Sequence, residues 1–218
     1  MSCKTCFSIV AAAALVAVSG SIALANHQDR PGSPPEQPPP LPPGWTQEDM
    51  QKCIEAGTPG EMQAWLAEGV GVWRGTAKSW MAPNTEPVEC ELTSTCTPLY
   101  DGRYIKCEIK GESPMGVFEG QGFYGFDNTT ETFQSSWIDN MSTGIYCGTG
   151  ERTSDGTSIE WNYSYTCPIT NKKTTLREVE TITGENTRTF EMYGIDPKSG
   201  REFKMMEVNF TRSAGTVR

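Results

Sequence analysis

The sequence predicts an all-β protein, a barrel of about ten antiparallel up-and-down strands preceded by short capping helices. After Gly69 the hydrophobic period changes from 3.6 residues to 2, which is the spacing of a half-buried strand. Short turns separate the alternating segments, so neighbouring strands are antiparallel. Ten such strands have unpaired edges unless the sheet closes, and an up-and-down barrel closes it.

The predicted strands are short and follow one another at regular intervals. Turn sequences rich in Asp, Asn, Gly and Pro, such as Asp155-Gly156, separate them. Alternate side chains of a strand point to opposite faces, so Trp73, Trp161 and Tyr163 are expected to point inward. The predicted strands span residues 71–80, 87–97, 103–111, 115–125, 131–139, 143–151, 157–166, 173–183, 188–194 and 202–212.

Two short helices are predicted before the first strand. Thr46 caps the first helix, which runs to about Ala56. In the second, Thr58 is the predicted N-cap, Glu61 completes a capping box, and Gly69 is the stop signal. The apolar face of this second helix is expected to cover one end of the barrel, and it consists of Met62, Trp65 and Leu66.

Residues 1–25 resemble a secretory signal peptide. Lys4 precedes an apolar stretch, and Ala23-Leu24-Ala25 offers small residues at the positions that a signal peptidase reads. A membrane anchor is the alternative, but Ser19-Gly20-Ser21 interrupts the apolar run and no basic stop signal follows. We expect cleavage before Asn26, no membrane insertion afterwards, and a periplasmic or extracellular location.

Residues 26–45 are predicted to form a disordered, proline-rich linker. Eight of the fourteen residues from 31 to 44 are proline, which has no backbone N–H and does not fit a helix interior. Such a segment is an extended spacer, or alternatively a ligand for a proline-reading groove. Residues 46–218 then form the helix-capped barrel domain, with its core in residues 59–213.

The charge balance is acidic. Cleavage after residue 25 removes one Lys and no acid, which changes the formal net charge from −9 to −10. A negative net charge repels nucleic acid and anionic membrane surfaces. We therefore expect no nucleic-acid partner; the predicted partner is a small apolar ligand, and the sequence identifies no protein partner.

Six cysteines remain after the predicted cleavage. An even number in an oxidising compartment favours disulfides over metal thiolates, although six cysteines allow 15 pairings. If Leu99 pairs with Tyr104 across a hairpin, Cys96 lies directly opposite Cys107, so we predict that disulfide. The other four cysteines stay unassigned, and they are Cys53, Cys90, Cys147 and Cys167.

The histidine content limits the chemistry. The only histidine is His27, which lies outside the predicted barrel. Without an imidazole the barrel has no Ser-His-Asp or Cys-His nucleophile and no His-ligated zinc or haem. Haem ligation by Cys, Met or Tyr stays open as an alternative. We predict no catalytic residue, no metal and no cofactor.

The predicted barrel interior is the candidate ligand site. Asp139 shares a strand face with Trp137, so it is a candidate polar anchor for an apolar ligand or a candidate acid–base group. Alternatively, Asp139 caps the turn that follows it. A third possibility is a filled barrel that acts through its surface, and a void above about 300 Å³ distinguishes a ligand site from it. The candidate ligand-binding residues are Trp137, Asp139, Trp161, Tyr163, Met192 and Met206.

One pattern resembles the closure signature of the calycin superfamily, which includes lipocalins and fatty-acid-binding proteins. Gly71-Val72-Trp73 opens the first strand, and Arg212 stands near the end of the last. The resemblance implies a calycin-like barrel in which the last strand pairs with the first. It also implies that Arg212 lies over the Trp73 indole as a structural cation–π contact.

Longer segments resemble a bacterial family, the domain of unknown function family 1579. They run in order from about residue 59 to 213 and cover nearly the whole mature domain. Members often carry a His in the capping helix where this chain has Gln63, and this departure weakens the case for a ligand role at that position. The family's name assigns no activity. The segments are "PGEMQAWLAEGVGVWRG", "LYDGRYI", "FEGQGFYGFDNTTETFQSSWIDN", "TGIYCGTGE" and "GREFKMMEVNFTRS".

Overall fold

The structure is a computed structural model that describes residues 40–113 and 116–214. The predicted signal peptide, residues 1–25, lies outside the described residues, and so do residues 26–39 of the predicted linker. The chain divides into two compact units after Thr58. Each unit is described by itself.

The described part of the first unit contains one helix, α1, which spans Gln47–Gly57. Thr46 is its N-cap: the Asp49 backbone N–H donates to the Thr46 hydroxyl at 3.1 Å, and the Asp49 carboxylate accepts from the Thr46 N–H at 2.8 Å. At the other end, the Thr58 hydroxyl donates to the Ile54 carbonyl at 2.6 Å. Thr58 therefore ends α1.

The second unit begins with a short helix, α2, which spans Glu61–Ala67. The prediction that Thr58 caps this helix is wrong, because the Thr58 side chain is bonded at the end of α1. Gly60 is the N-cap instead, and its N–H donates to the Gln63 side chain at 2.8 Å.

Ten antiparallel strands follow and close into a barrel in which every strand pairs with its neighbours in sequence and β1 pairs with β10. The predicted ten-stranded up-and-down barrel is confirmed. The strands are β1 (Gly71–Ser79), β2 (Val88–Leu99), β3 (Tyr104–Ser113), β4 (Gly116–Asp127), β5 (Thr132–Asp139), β6 (Tyr146–Arg152), β7 (Ser158–Thr166), β8 (Lys173–Gly184), β9 (Thr187–Ile195) and β10 (Glu202–Ser213).

The first and last strands meet at Trp73 and Arg212, which are partners in the β1–β10 register. The Arg212 guanidinium carbon lies 4.2 Å from the centre of the Trp73 ring, and the same group donates to the Glu68 carbonyl at 2.7 Å and to the Val70 carbonyl. Gly71 has a φ of +141° and leaves no room for a Cβ beside Arg212. Glycine at this position therefore lets the guanidinium reach the indole.

The helix α2 lies at the end of the barrel where β1 begins, which we call the helix end. There the Gln63 amide donates to the Phe126 carbonyl at 3.0 Å, and the Trp65 indole donates to the Gly156 carbonyl at 3.0 Å. In an up-and-down barrel alternate connections fall at the same end. The opposite end, which we call the loop end, therefore holds the connections that follow β1, β3, β5, β7 and β9.

Two clusters of buried side chains form the barrel core. One contains Phe133, Ile159, Trp161 and Tyr163, and the α2 residues Met62, Trp65 and Leu66 pack against it. The other contains Ala77, Leu92 and Val208. The apolar face of α2 therefore covers the core, as its sequence pattern predicts.

The predicted disulfide between Cys96 and Cys107 is confirmed. The two residues are partners in the β2–β3 register, and their sulfurs are bonded. No second disulfide forms within residues 40–113 and 116–214, where Cys53, Cys90, Cys147 and Cys167 are free. These are the four cysteines that the sequence left unassigned. Within the same residues, none of the helices has the length and apolar character to cross a membrane.

Candidate functional site

The barrel interior contains a partly open cavity of about 110 Å³ that is bounded on one side by Trp65 and Leu66 of α2. Its walls are mostly apolar, with Ile105, Trp161 and Phe210 among the strand residues that line it. Typical small-molecule pockets measure roughly 300–1,000 Å³, whereas an engineered apolar cavity of about 150 Å³ holds benzene. The volume is therefore that of a site for a few non-hydrogen atoms.

One carboxyl group, that of Glu178, faces this cavity from β8. The Tyr163 hydroxyl is hydrogen-bonded to it, and the Ser135 hydroxyl donates to the Tyr163 oxygen at 2.9 Å. Burial raises the pKa of Glu178 to about 7; the bond from Tyr163 opposes this rise, and the charge of Glu180 adds to it. Glu178 is therefore the lining carboxyl whose protonation changes near neutral pH.

A second carboxyl, that of Glu180, forms an ion pair with an arginine. The Arg188 guanidinium lies 2.6 Å from the Glu180 carboxylate, and only 14% of the Arg188 side chain is exposed. The guanidinium carbon also lies 4.9 Å from the centre of the Trp73 ring. The Trp73 indole N–H donates to the Gly69 carbonyl at 2.9 Å, which fixes the ring between α2 and the barrel.

Two tyrosines complete the polar part of the interior. Tyr163 is 3% exposed, and Tyr124 lines the cavity with its ring centre 5.4 Å from that of Trp161. Burial raises the pKa of both hydroxyls, and the negative charge of Glu178 adds to the rise. Both tyrosines are therefore neutral at physiological pH, when each can donate a hydrogen bond.

The alternation of β7 and β8 brings these groups together. Trp161 on β7 is the register partner of Glu178 on β8, so both side chains lie on the same face of the sheet. Two residues further along β8, Glu180 returns to that face. Arg188, the second residue of β9, is the partner of Ile182 across the β8–β9 hairpin and reaches Glu180 from there.

The residues predicted from sequence divide between the two ends of the barrel. Trp161 lines the cavity, and Tyr163 supports the Glu178 carboxyl. Trp137 and Asp139 lie at the loop end, where the Trp137 indole and the Met141 backbone N–H each donate to the Asp139 carboxylate at 2.9 Å. Asp139 thus makes the turn-capping bond that the sequence analysis held open as an alternative.

The two predicted methionines lie outside the cavity lining. Met192 and Met206 are partners in the β9–β10 register. Met206 packs against the buried cluster of Ala77, Leu92 and Val208. Both methionines are half-buried.

Sequence reasoning missed Glu178, Glu180 and Arg188. The β8 sequence has polar and apolar residues on both faces, so its alternation does not identify the inner one. A signal was nevertheless present, because the inward Trp161 and a short turn after β7 set the register that places Glu178 opposite the indole. Within residues 40–113 and 116–214, no three His, Cys, Asp or Glu side chains converge as a metal site.

Comparisons with known proteins agree with this fold. The model of a family described as "Protein of unknown function (DUF1579)" matches residues 58–212, and no curated protein matches the chain. Among solved structures, Rv2717c from M. tuberculosis is 14% identical, with a TM-score of 0.52 over 72% of this chain and 99% of that chain. The S-type phycobiliprotein lyase CPES from Guillardia theta is 12% identical, with a TM-score of 0.52 over 75% of this chain and 97% of that chain. At these identities the likeness shows a shared fold alone.

Proposed function

This chain belongs to the DUF1579 family, whose description assigns no activity, and we propose from its own interior that the barrel binds one small organic molecule beneath α2. The observation that supports the proposal is the Glu178 carboxyl in the wall of an otherwise mostly apolar cavity. Ligand sites combine apolar walls with a few polar groups that orient the ligand. This cavity has both.

The volume of the cavity limits the ligand. At about 110 Å³ it accepts a molecule somewhat smaller than benzene. In this proposal Trp161 forms part of the cavity wall, as the sequence predicts. The Tyr163 hydroxyl is hydrogen-bonded to Glu178, and the Glu178 carboxyl takes the anchoring role for which Asp139 is the sequence-based candidate.

A filled barrel that acts through its surface is the second candidate function. The cavity volume is below the 300 Å³ expected of an ordinary pocket, which favours this alternative. The loop end also exposes large apolar side chains, as an interaction surface does. They are Met81, Val117, Met141, Ile145 and Ile169.

We also propose that the protein acts outside the cytoplasm. The Cys96–Cys107 disulfide supports this location, because disulfides persist in oxidising compartments. The signal-like sequence of residues 1–25 agrees with it. The intact denatured mass of protein from its own host tests the proposal: cleavage before Asn26 is expected, and an uncleaved chain contradicts it.

Native mass spectrometry of the mature protein from its own host tests the binding function. We expect a discrete non-covalent increment over the denatured mass. The increment should disappear in Ile182→Phe, which places a ring in the cavity, and persist in Val179→Phe, which places the same ring on the outer face of β8. An increment unaffected by Ile182→Phe would place the ligand elsewhere. Absence of both an increment and binding of 1-butanol, which is smaller than benzene, would favour the surface role.

A further inference from the structure

We propose that the ligand of this cavity carries a positive charge, so that the site selects a small alkylammonium ion held by Glu178 and the aromatic rings around it. The inference rests on the proposed binding function and names the chemical class of its ligand.

The first support is the balance of charge around the cavity. Three charged side chains line it, two carboxylates and one guanidinium: Glu178, Glu180 and Arg188. Arg188 is paired with Glu180 at 2.6 Å, and within the described residues no Lys or Arg forms an ion pair with Glu178. Glu178 is half-buried, and a carboxylate partly removed from water without a counter-ion is unfavourable, so a bound cation removes that cost.

The second support is the hydrogen-bonding capacity of Glu178. An ionised carboxylate offers about four acceptor positions. The Tyr163 hydroxyl is the one side-chain partner of Glu178 within the described part of the chain, and the Ser135 hydroxyl holds Tyr163 in place. Acceptor positions therefore remain on the carboxylate, and an ammonium group has three N–H donors to fill them.

The third support is the aromatic wall. Tyr124 and Trp161, which flank Glu178, both line the cavity, and the faces of such rings attract cations. This interior already holds cations in that way, since the guanidinium carbons of Arg188 and Arg212 lie 4.9 Å and 4.2 Å from the centre of the Trp73 ring. An ammonium at Glu178 would repeat the arrangement one layer deeper in the barrel.

Anionic and neutral ligands fit less well. A carboxylate or phosphate group would meet two carboxyls, Glu178 and Glu180, while the guanidinium of Arg188 is engaged by Glu180 and Trp73. A neutral ligand would leave Glu178 either protonated or unpaired. The size of the cavity further restricts the cation to a short alkyl chain.

Proton competition follows from this arrangement. The groups that face Glu178 are Glu180 with its partner Arg188, and the hydroxyls of Tyr124 and Tyr163, which stay neutral. Because burial raises the pKa of Glu178 to about 7, protons displace the ligand as the pH falls below that value. The affinity for an ammonium ion should fall by about tenfold per pH unit below 7.

Three probes of matched length test the inference: n-butylamine, 1-butanol and butyrate. Each is titrated into ¹⁵N-labelled mature protein, and the indole N–H resonance of Trp161 reports binding in the cavity. At pH 8 we expect n-butylamine to bind at least tenfold more tightly than 1-butanol, and butyrate not to bind. Glu178→Gln should reduce the n-butylamine affinity to that of 1-butanol, while Glu160→Gln, on the outer face of β7, should not change it.

The outcomes separate the inference from the function on which it rests. If 1-butanol or butyrate binds as tightly as n-butylamine, the cationic class is wrong and the binding function stands. If none of the three probes shifts the Trp161 resonance, both are wrong. Should Glu178→Gln not fold, the wild-type affinities at pH 8 and pH 6 decide: a decrease for n-butylamine alone supports the inference, and equal affinities overturn it.

Discussion

At the helix end of the barrel Trp73 lies against two guanidinium groups, whereas at the loop end Trp137 lies against one carboxylate. Trp73 is 3% exposed and its indole donates to the backbone at Gly69. The half-buried Trp137 indole donates to Asp139, and its ring stacks on Phe118 at 6.5 Å between centres. Each end thus combines an inward indole with a charged neighbour.

The strands beside each indole help to explain why this cavity lies at the helix end. At the loop end, Gly120 and Gly122 on β4 give their side-chain space to the Trp137 ring, and no Cβ fits there without contacting it. At the helix end, Glu178 and Glu180 occupy the inner face of β8 and must keep polar partners. The Trp137 ring therefore fills space that the β4 glycines leave, whereas the space beside Glu178 and Glu180 stays open as the cavity.

The largest expected effect is the loss of the helix-end indole. Trp73→Ala should lower the free energy of unfolding by about 3–5 kcal/mol, because the ring is fully buried and two guanidinium groups lose their aromatic contact. Trp137→Ala should cost about half as much, since that ring is only half-buried. Urea unfolding measures both variants, and equal losses would contradict the contrast between the ends.

The next effect concerns pH. The pKa of Glu178 is about 7 in the folded chain against an ordinary value of 4.5, so the folded chain binds more protons between these values. The free energy of unfolding should therefore fall as the pH rises from 4.5 to 7, by about 3 kcal/mol from this group. Urea unfolding across this range should show a flatter profile for Glu178→Gln, but not for Glu151→Gln at an exposed position. Identical profiles would contradict the burial of Glu178.

The loop end can be tested through its glycines. Gly120→Ala should cost roughly 1–3 kcal/mol, because the new methyl group overlaps the Trp137 ring. In the Gly120→Ala variant, a further Trp137→Ala substitution should cost less stability than Trp137→Ala does in the wild type. A double-mutant cycle measures this coupling. Gly144→Ala is the control, since no heavy atom lies near its Cβ position. Additive effects would show that the ring and Gly120 do not share space.

The smallest effect is expected at Asp139. Asp139→Asn keeps one oxygen acceptor for the Trp137 indole or the Met141 N–H, so it should cost about 1 kcal/mol or less in urea unfolding. Its affinity for n-butylamine should equal that of the wild type. A tenfold loss of affinity would instead support Asp139 as the ligand anchor, the role that its sequence position first suggested.

Much of this fold can be predicted from local patterns in the sequence. Alternation and turn chemistry predict all ten strands to within a few residues, because a strand with one buried face repeats every two residues. The Cys96–Cys107 bond follows from a tight hairpin, whose length fixes the register. The start of α2 is missed because two helices compete for Thr58, and its hydroxyl bonds to the first.

The candidate site is harder to predict because it depends on contacts across strands. Asp139 is two residues from Trp137 in the sequence, so it is predicted as a site residue. Glu178 is brought beside Trp161 only by the β7–β8 register. The pairing of Glu180 with Arg188 likewise joins two strands. From the sequence alone, a carboxyl residue on a strand is predicted to lie on the surface. Only the register with the neighbouring strand identifies which face of the strand points inward.

The pairing of β1 with β10 also determines when the fold can be completed. Until β10 is available, β1 and β9 are the open edges of a nine-stranded sheet, with unpaired backbone groups that invite association with other chains. The contact between Trp73 and Arg212 spans almost the whole barrel sequence, so it contributes to a high contact order. A chain that stops before Glu202 loses both the β1–β10 and β9–β10 pairings at once, and the sheet that remains is a candidate for aggregation.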